Sequence, residues 1–520
     1  MSSPFASLLG TNYCPKDTEI VQIRDFLIDH LLRLKRLDDE IAVMRKALDT
    51  IIEERDTLKT YVEAHKALIS PFRQLPVDII EAIFLACLPT HRNCVMSARE
   101  APVILGRICR PWRIISQSFP PLWSSLHIVE PRRPYHARAG LYEAKISQRQ
   151  EVAITWLQRS GTCPLSISLV DDNIDAIPGS LVNLLIPFAP RWQEITLSVP
   201  SLTLKTLSCL TENDVPLLKD LAIAQRLERG NDSALLSLSP VLHAPSLSRF
   251  SLSGSNIHYS YLPLRLSHLT ALTLVGAEQW GAENVAQSCQ IFLEIFYQCS
   301  QLRTCTLRVH ERPGEYLQDS VVECPFLHTL NLFCTSSVLY TAGRLLSRLS
   351  VPVLQDFEIY GDWRTDPSEA YNASGGDSLW AFLATCARLK FIATDHATFS
   401  KYRLMDFLRN LPPTIQRFRI VPSGHIFEAS PDPILPVLEE LTVDDGHFVV
   451  SVEVLLRFIV SRIPTLRRVD IAVARERQVD ILPALQPFVE PGLKISVTYS
   501  TSPPLPFSPW QGLPDAQSAL

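Results

Sequence analysis

The chain has 520 residues, 46% of them hydrophobic and 20% charged, which is ample for more than one packed unit and too apolar for a disordered polymer. A net charge of −5 gives no basis for nucleic-acid binding, and no apolar run approaches the ~20 residues that a membrane helix needs. The start, MSSPFASLLGTNYCPKDTE, lacks the basic region and sustained apolar run of a secretory signal. Twelve cysteines are scattered singly, mostly in apolar slots, as reduced thiols acting as small hydrophobes would be. A cytoplasmic or nuclear protein is therefore expected, with the sequons at Asn231 and Asn372 idle.

Residues 1–16 read as a disordered N-terminus, and 17–66 as a heptad helix. From Ile20 to His65 the frame runs without a break, with Ile20, Leu27, Leu34, Ile41, Leu48, Arg55 and Val62 at a. The d positions are Ile23, His30, Leu37, Met44, Ile51, Leu58 and His65. Two readings stand: a coiled coil that makes the protein a homodimer through residues 17–66, or a helix or hairpin laid on its own chain.

Residues 68–130 follow. Leu75-Pro76 opens a helix with one apolar stripe at Ile79, Ile80, Ile83, Phe84, Cys87 and Leu88, and Pro sits where its missing N–H costs nothing. A second apolar cluster runs from Val103 through Ile108 and Trp112 to Trp123. About 60 residues bury little surface alone, so a leftover apolar stripe is open to a partner. The LP-x-D-I-I-x-x-I-F opening, the I-C-R-x-W-R centre and the closing P-x-L-W-x-x-L resemble an F-box. That resemblance implies docking to a Skp-type linker protein, and through it to a cullin, by Leu75, Pro76, Ile79, Ile83, Phe84, Leu88, Ile108 and Trp112. One departure from the pattern is the long link from His91 to Glu100, HRNCVMSARE.

Residues 131–160 read as a hinge at Pro131–Pro134 and a connecting helix, Ala137–Arg159, followed by a first strand at Pro164–Val170. Across 161–498 a nine-residue phrase recurs, approximately [small/apolar]-P-x-L-x-x-L-x-L, in eleven copies starting at residues 189, 215, 244, 266, 299, 324, 351, 386, 412, 435 and 463. Its fourth and seventh slots are always apolar, and its ninth is apolar except at Thr394. The phrase ends in the alternation of a half-buried strand, and amphipathic helices are expected in the spacers Asn284–Cys299, Ser337–Leu349, Asp377–Leu389, Tyr402–Leu411 and Val452–Ile463. A helix and a short strand every 22 to 35 residues is the pattern of a leucine-rich-repeat solenoid. No asparagine ladder follows the strands, so the repeats are expected to be irregular. Residues 499–520 are Pro-rich and read as a disordered tail.

This combination resembles the F-box proteins with irregular leucine-rich repeats that are abundant in mushroom-forming (basidiomycete) fungi. The implied fold is mixed α/β: a long N-terminal helix or coiled coil, a small all-α F-box, then an α/β horseshoe with parallel strands. The implied function is substrate recognition for a Skp–cullin–F-box ubiquitin ligase, in which the repeats hold an unknown protein target. A non-ubiquitin scaffolding, self-associating protein is the alternative.

Slots four, seven and nine of each phrase should face the core, leaving slots six, eight and ten on the opposite side of the sheet. There the chain places Asp356, Glu358 and Tyr360, Arg417 and Arg419, Glu440 and Asp444, and Arg468 and Asp470. All but Asp470 are candidate target-binding residues, along the face that solenoids commonly use; the alternative is that these charges pair across neighbouring strands and only keep the face soluble. The chain has no GxGxxG, GxxxxGK[ST], HExxH, GxSxG or CxxC. His268 and His328 read as strand-end residues, and Cys299 and Cys305 as packing. No catalytic, cofactor-binding or metal-binding residues are expected.

Overall fold

The computed structural model describes residues 3–69, 71–130, 139–171, 180–225, 239–255, 266–277, 289–309, 320–334, 338–361, 376–395, 407–421, 435–445, 458–459, 465–473, 493–499, 508–511 and 513. Two compact units divide the chain, Met1–Ile80 and Glu81–Leu520. No helix among the described residues is long and apolar enough to cross a membrane.

The first unit is dominated by one helix, α1 (Asp17–Leu68). Its 52 residues contain neither Gly nor Pro, so nothing in the sequence interrupts the ladder. At its start the Glu19 carboxylate accepts the Lys16 N–H at 2.8 Å and the Tyr13 hydroxyl at 3.0 Å. This satisfies one orphan donor and puts negative charge at the positive end of the helix. Of the readings left open, α1 is a single rod of about 78 Å and not a hairpin. The residues before it are described from Ser3, and include a 3-10 turn at Ala6–Leu8, where disorder had been expected.

The second unit is built on one parallel sheet of 14 strands. In chain order the strands are β1 (Ser125–Val129), β2 (Leu165–Val170), β3 (Trp192–Val199), β4 (Asp220–Gln225), β5 (Arg249–Ser255), β6 (Ala271–Ala277) and β7 (Thr304–Val309). They continue as β8 (Val322–Glu323), β9 (Thr329–Cys334), β10 (Leu349–Ser350), β11 (Asp356–Gly361), β12 (Phe391–Asp395) and β13 (Arg417–Val421). The last are β14 (Glu440–Asp445), β15 (Arg468–Val473) and β16 (Lys494–Tyr499). β8 and β10 form a separate two-stranded parallel pair; the other strands neighbour one another in chain order.

The repeated phrase explains this register. In ten of the eleven copies the strand starts at slot six; only β3 starts earlier, at Trp192. Slot six pairs with slot six from Glu194↔Asp220 to Glu440↔Arg468 without a slip. Slot seven therefore stacks as a continuous column (Ile195, Leu221, Phe250, Leu272, Cys305, Leu330, Phe357, Ile392, Phe418, Leu441, Val469), and every member is buried. Slots four and nine are likewise buried in every copy, Thr394 included. Each aliphatic or aromatic side chain so placed contributes about 1.5–3 kcal/mol, and a one-residue slip would turn its whole set outward.

The sheet begins earlier than expected. β1 lies inside the segment read as an all-α F-box ending at 130, so the helix Ala139–Arg159 connects the first two strands of the sheet. The signal was present: PPLWSSLHI from Pro120 fits the nine-residue phrase, with Trp123, Leu126 and Ile128 in its core slots and all three buried. Pro131–Pro134 lies outside the described residues. Among the spacer helices, Cys289–Gln298, Val338–Leu346 and Gly376–Thr385 are present. The helix expected to run on to Leu349 stops at Leu346, because Leu349 and Ser350 pair with Val322 and Glu323. The expected helices over Tyr402–Leu411 and Val452–Ile463 lie largely outside the described residues.

The long link HRNCVMSARE has a structural role in this unit. Val95 bridges His127 beside β1, and the His127 N–H reaches the Cys94 carbonyl at 2.7 Å. The Asn93 amide oxygen accepts from the Ser125 and Ser166 hydroxyls, both at 2.8 Å. The link thus occupies the first edge of the sheet, where unpaired backbone groups would otherwise be open.

Candidate functional site

Two surfaces carry the residues singled out in the sequence: the short helices before β1 and the polar face of the sheet. The first helix, α2 (Val77–Ala86), starts directly after Pro76, with Asp78 in its first turn. The Ile-Cys-Arg-x-Trp motif is not one helix. It divides into α3 (Leu105–Ile108) and α4 (Arg110–Ser118) at Cys109, which is extended at φ −154 and ψ 169. Pro111 in the first turn of α4 has no N–H to bond the Arg107 carbonyl, so it suits a helix start and not a continuous ladder from α3.

The predicted docking residues fall into two classes. Pro76, Ile79 and Ile108 are exposed, and Leu75, Ile83 and Leu88 are half-buried. Phe84 is 0% exposed and meets Trp112 edge-on, with ring centroids 4.9 Å apart. Phe84 is thus core of its own unit, and half-buried Trp112 is its packing partner: two expected anchors are spent internally. Exposed residues absent from the expectation are Val77, Leu85, Ile104 and Ile114. Ile114 was missed because WRII offers two adjacent isoleucines, and only the helix restart at Cys109 decides which points outward. Ile108 is 58% and Ile114 60% exposed.

Behind α4, Trp123 ties the helices to the sheet. Its indole N–H donates to the Ser116 carbonyl at 2.7 Å, and its ring meets Trp156 edge-on at 4.8 Å. The Arg159 guanidinium lies 4.7 Å over the same ring. α3 and α4 approach closely at Gly106, where a Cβ would sit 3.1 Å from the Ser116 hydroxyl and the Arg113 Nε–H donates to the Gly106 carbonyl at 2.8 Å. A cleft of about 650 Å³ opens beside these groups, lined by Arg107, Arg113, Glu151, Trp156 and Arg159 among others.

The polar face of the sheet is internally paired. Arg417 reaches across β12 to Asp356 at 2.7 Å, with its guanidinium 5.0 Å over the Phe391 ring. Arg419 pairs with Asp444, and Arg468 with Asp470 at 2.7 Å. The Tyr360 hydroxyl donates to Glu358 at 3.0 Å, and its ring stacks on Phe333 at 5.2 Å. Burial, and then the Glu358 charge, push the Tyr360 hydroxyl well above its ordinary pKa. Glu440 is exposed, between Arg417 and Arg468 in the register. On the earlier strands Arg249 does the same for Asp220 at 2.7 Å and Glu194 at 3.4 Å. The face is a lattice of opposite charges rather than a patch of one sign.

Cys299, Cys305 and Cys324 are buried, and burial raises all three thiols, Cys299 and Cys324 to about 12. Among the described residues, no group of three or more His, Cys, Asp or Glu side chains is placed to hold a metal ion.

No protein-family model matches the chain, and no curated protein matches it. Among solved structures, the crystal structure of a Bacteroides fragilis protein is similar at 11% identity, over 56% of this chain and 77% of that one, with a TM-score of 0.32. The functional reading rests on the chain's own residues.

Proposed function

We propose that the chain is a non-catalytic substrate-recognition adaptor of a Skp–cullin–F-box ubiquitin ligase. In this reading residues 68–130 act as an F-box, and the strands that follow are irregular leucine-rich repeats that present a protein target. The observation that carries it is the set of aliphatic side chains left exposed on and just before the short helices of the second unit: Leu85, Ile104, Ile108 and Ile114. They lie within the stretch whose motifs resemble an F-box, and exposed aliphatic groups of this kind gain most from burial by a partner. The fixed register of the sheet supports the second half, because it aligns slots six, eight and ten as a continuous polar surface. Candidate target contacts are Asp356, Glu358, Tyr360, Arg417, Arg419, Glu440, Asp444 and Arg468.

The packing of Phe84 on Trp112 favours a second reading, in which the segment is internal scaffolding of a self-associating interaction protein. Co-purification of the full chain with a Skp-type linker protein separates the two. The wild type should retain the linker. Ile108→Asp with Ile114→Asp, and separately Leu75→Ala with Pro76→Ala, should weaken retention by on the order of a hundredfold, with thermal melting of the sheet unchanged. A wild-type chain that retains no linker rejects the adaptor reading.

A further inference from the structure

Among the described residues, the seam of α1 is a long solvent-exposed apolar feature. From Leu27 to Val62 every apolar a and d side chain is exposed, among them Leu34 at 59%, Met44 at 68% and Ile51 at 62%. Such a stripe, several turns long on a helix of 52 residues, is costly to leave in water. What covers it is decided by the residues that flank it. In a two-stranded parallel coil in register, each g residue lies beside the e residue five positions later on the other helix.

In α1 those pairs are Glu19–Arg24, Arg33–Asp38, Glu40–Arg45 and Glu54–Lys59, all of opposite charge. The uncharged slots match as well: Phe26 meets Leu31, and Ala47 meets Ile52. The last pair, Tyr61–Lys66, sets an aromatic ring beside an ammonium. No like-charged pair occurs among them. The full-length antiparallel overlap is poorer. There Arg33 meets Glu54 and Asp38 meets Arg45, but Arg24 opposes Lys59 and Glu40 faces only Ala47. Arg55 at an a position argues for two strands, since a single polar a residue restricts register and oligomer state. Beside it on the partner helix lies the carboxylate at position 54, one residue earlier in the frame.

We infer that the occupant of this seam is a second copy of the same chain, and that the two copies pair through α1 as a parallel, in-register coiled coil. Both chains then leave the coil at the same end, at Leu68, so the dimer holds two copies of whatever follows side by side. The inference does not depend on the adaptor reading, because it uses only α1.

The test is the mass of the full chain in solution by light scattering or sedimentation at micromolar concentration. The wild type should have twice the 58.5 kDa of one chain. Arg45→Glu with Lys59→Glu turns two of the four charged pair types repulsive in the parallel coil, and should weaken dimerisation on the order of a hundredfold. Glu40→Lys with Glu54→Lys should do the same. An equimolar mixture of the two variants should regain the wild-type dimer, since every pair is again of opposite charge; this recovery also excludes misfolding as the cause of the loss. In an antiparallel coil the Arg45→Glu, Lys59→Glu chain keeps as many favourable pairs as the wild type. Undiminished dimerisation of that variant therefore overturns the inference, as does a wild-type mass of one chain or of three.

Discussion

Thr394 shows how strictly each position of the sheet is specified. It fills the one slot-nine position of the repeated phrase that is not apolar, and it is 0% exposed. Its hydroxyl has no hydrogen-bond partner among the described residues. A buried hydroxyl without a partner costs on the order of 1–3 kcal/mol, whereas an apolar group of the same shape does not. Thr394→Val should therefore stabilise the protein by about 1 kcal/mol, read as a higher denaturant midpoint at unchanged slope. A lower midpoint would mean that the hydroxyl is satisfied. Phe84 teaches the complementary lesson. A large apolar residue on a predicted docking stripe is the best candidate for an anchor and equally the best candidate for core. Here the contact with Trp112 decides for core.

At the scale of elements, the parallel register decides what the face charges do. Slots six and eight recur in line on successive strands, so Arg417 and Asp356 face each other across β12, and Arg419 and Asp444 across neighbouring strands. These side chains are a quarter to a half exposed, and exposed ion pairs contribute about 0–1 kcal/mol. Arg417→Met should cost less than about 1 kcal/mol in urea melts, since it keeps an aliphatic stem over Phe391. The paired Arg417→Glu and Arg419→Glu reversal should cost more, about 1–2 kcal/mol, because each new carboxylate meets Asp356 or Asp444. If the proposed target docks on this face, that reversal abolishes capture while Arg417→Met only weakens it. Equal capture by the wild type and the reversal would place recognition elsewhere. The short helices follow the same rule: Pro111 restarts the chain at α4, and that restart alone sets which isoleucine is exposed.

At the scale of the whole second unit, the chain's last described residues return to its first strand. The Trp510 indole donates to Glu100 at 3.2 Å, and the Gln511 carbonyl accepts from His127 Nε2 at 2.8 Å. The residues from 499 on had been expected to be disordered; the turn at 508–511 instead meets the sheet edge that Asn93, Cys94 and Val95 occupy. With Nε2–H donating, Nδ1 of His127 accepts the Ser168 hydroxyl at 2.7 Å. This arrangement needs the neutral ring. Burial lowers His127 to about 4, the Gln511 carbonyl opposes that, and the Arg92 and Arg149 charges add to it. Because the folded-state value lies below the usual 6.5, the contribution is fully present above about pH 6.5 and is withdrawn as pH falls toward 4. Roughly 2–3 kcal/mol should be lost over that window. His127→Gln can keep both hydrogen bonds without titrating, so it should flatten stability between pH 6.5 and 4. An unchanged slope in that variant would remove His127 as its source.

The sequence by itself determined everything that repeats. An apolar residue at every fourth, seventh and ninth slot commits a segment to a strand with one buried face, and eleven copies commit it to one register, since any slip costs the whole column. The heptads likewise specified helix from Ile20 to His65, though whether one rod or a hairpin only the structure decided. The tertiary structure decided what does not repeat. PPLWSSLHI fits both the close of the F-box pattern and the repeated strand phrase, and only pairing with β2 decides for the strand. Asn93 and Val95 at the sheet edge and Trp510 against Glu100 are contacts between residues dozens to hundreds of positions apart, and periodicity carries no information at that range. The choice between anchor and core at Phe84 and Ile114 is of the same kind. Burial is settled by which neighbours close over a side chain, and those neighbours belong to other elements.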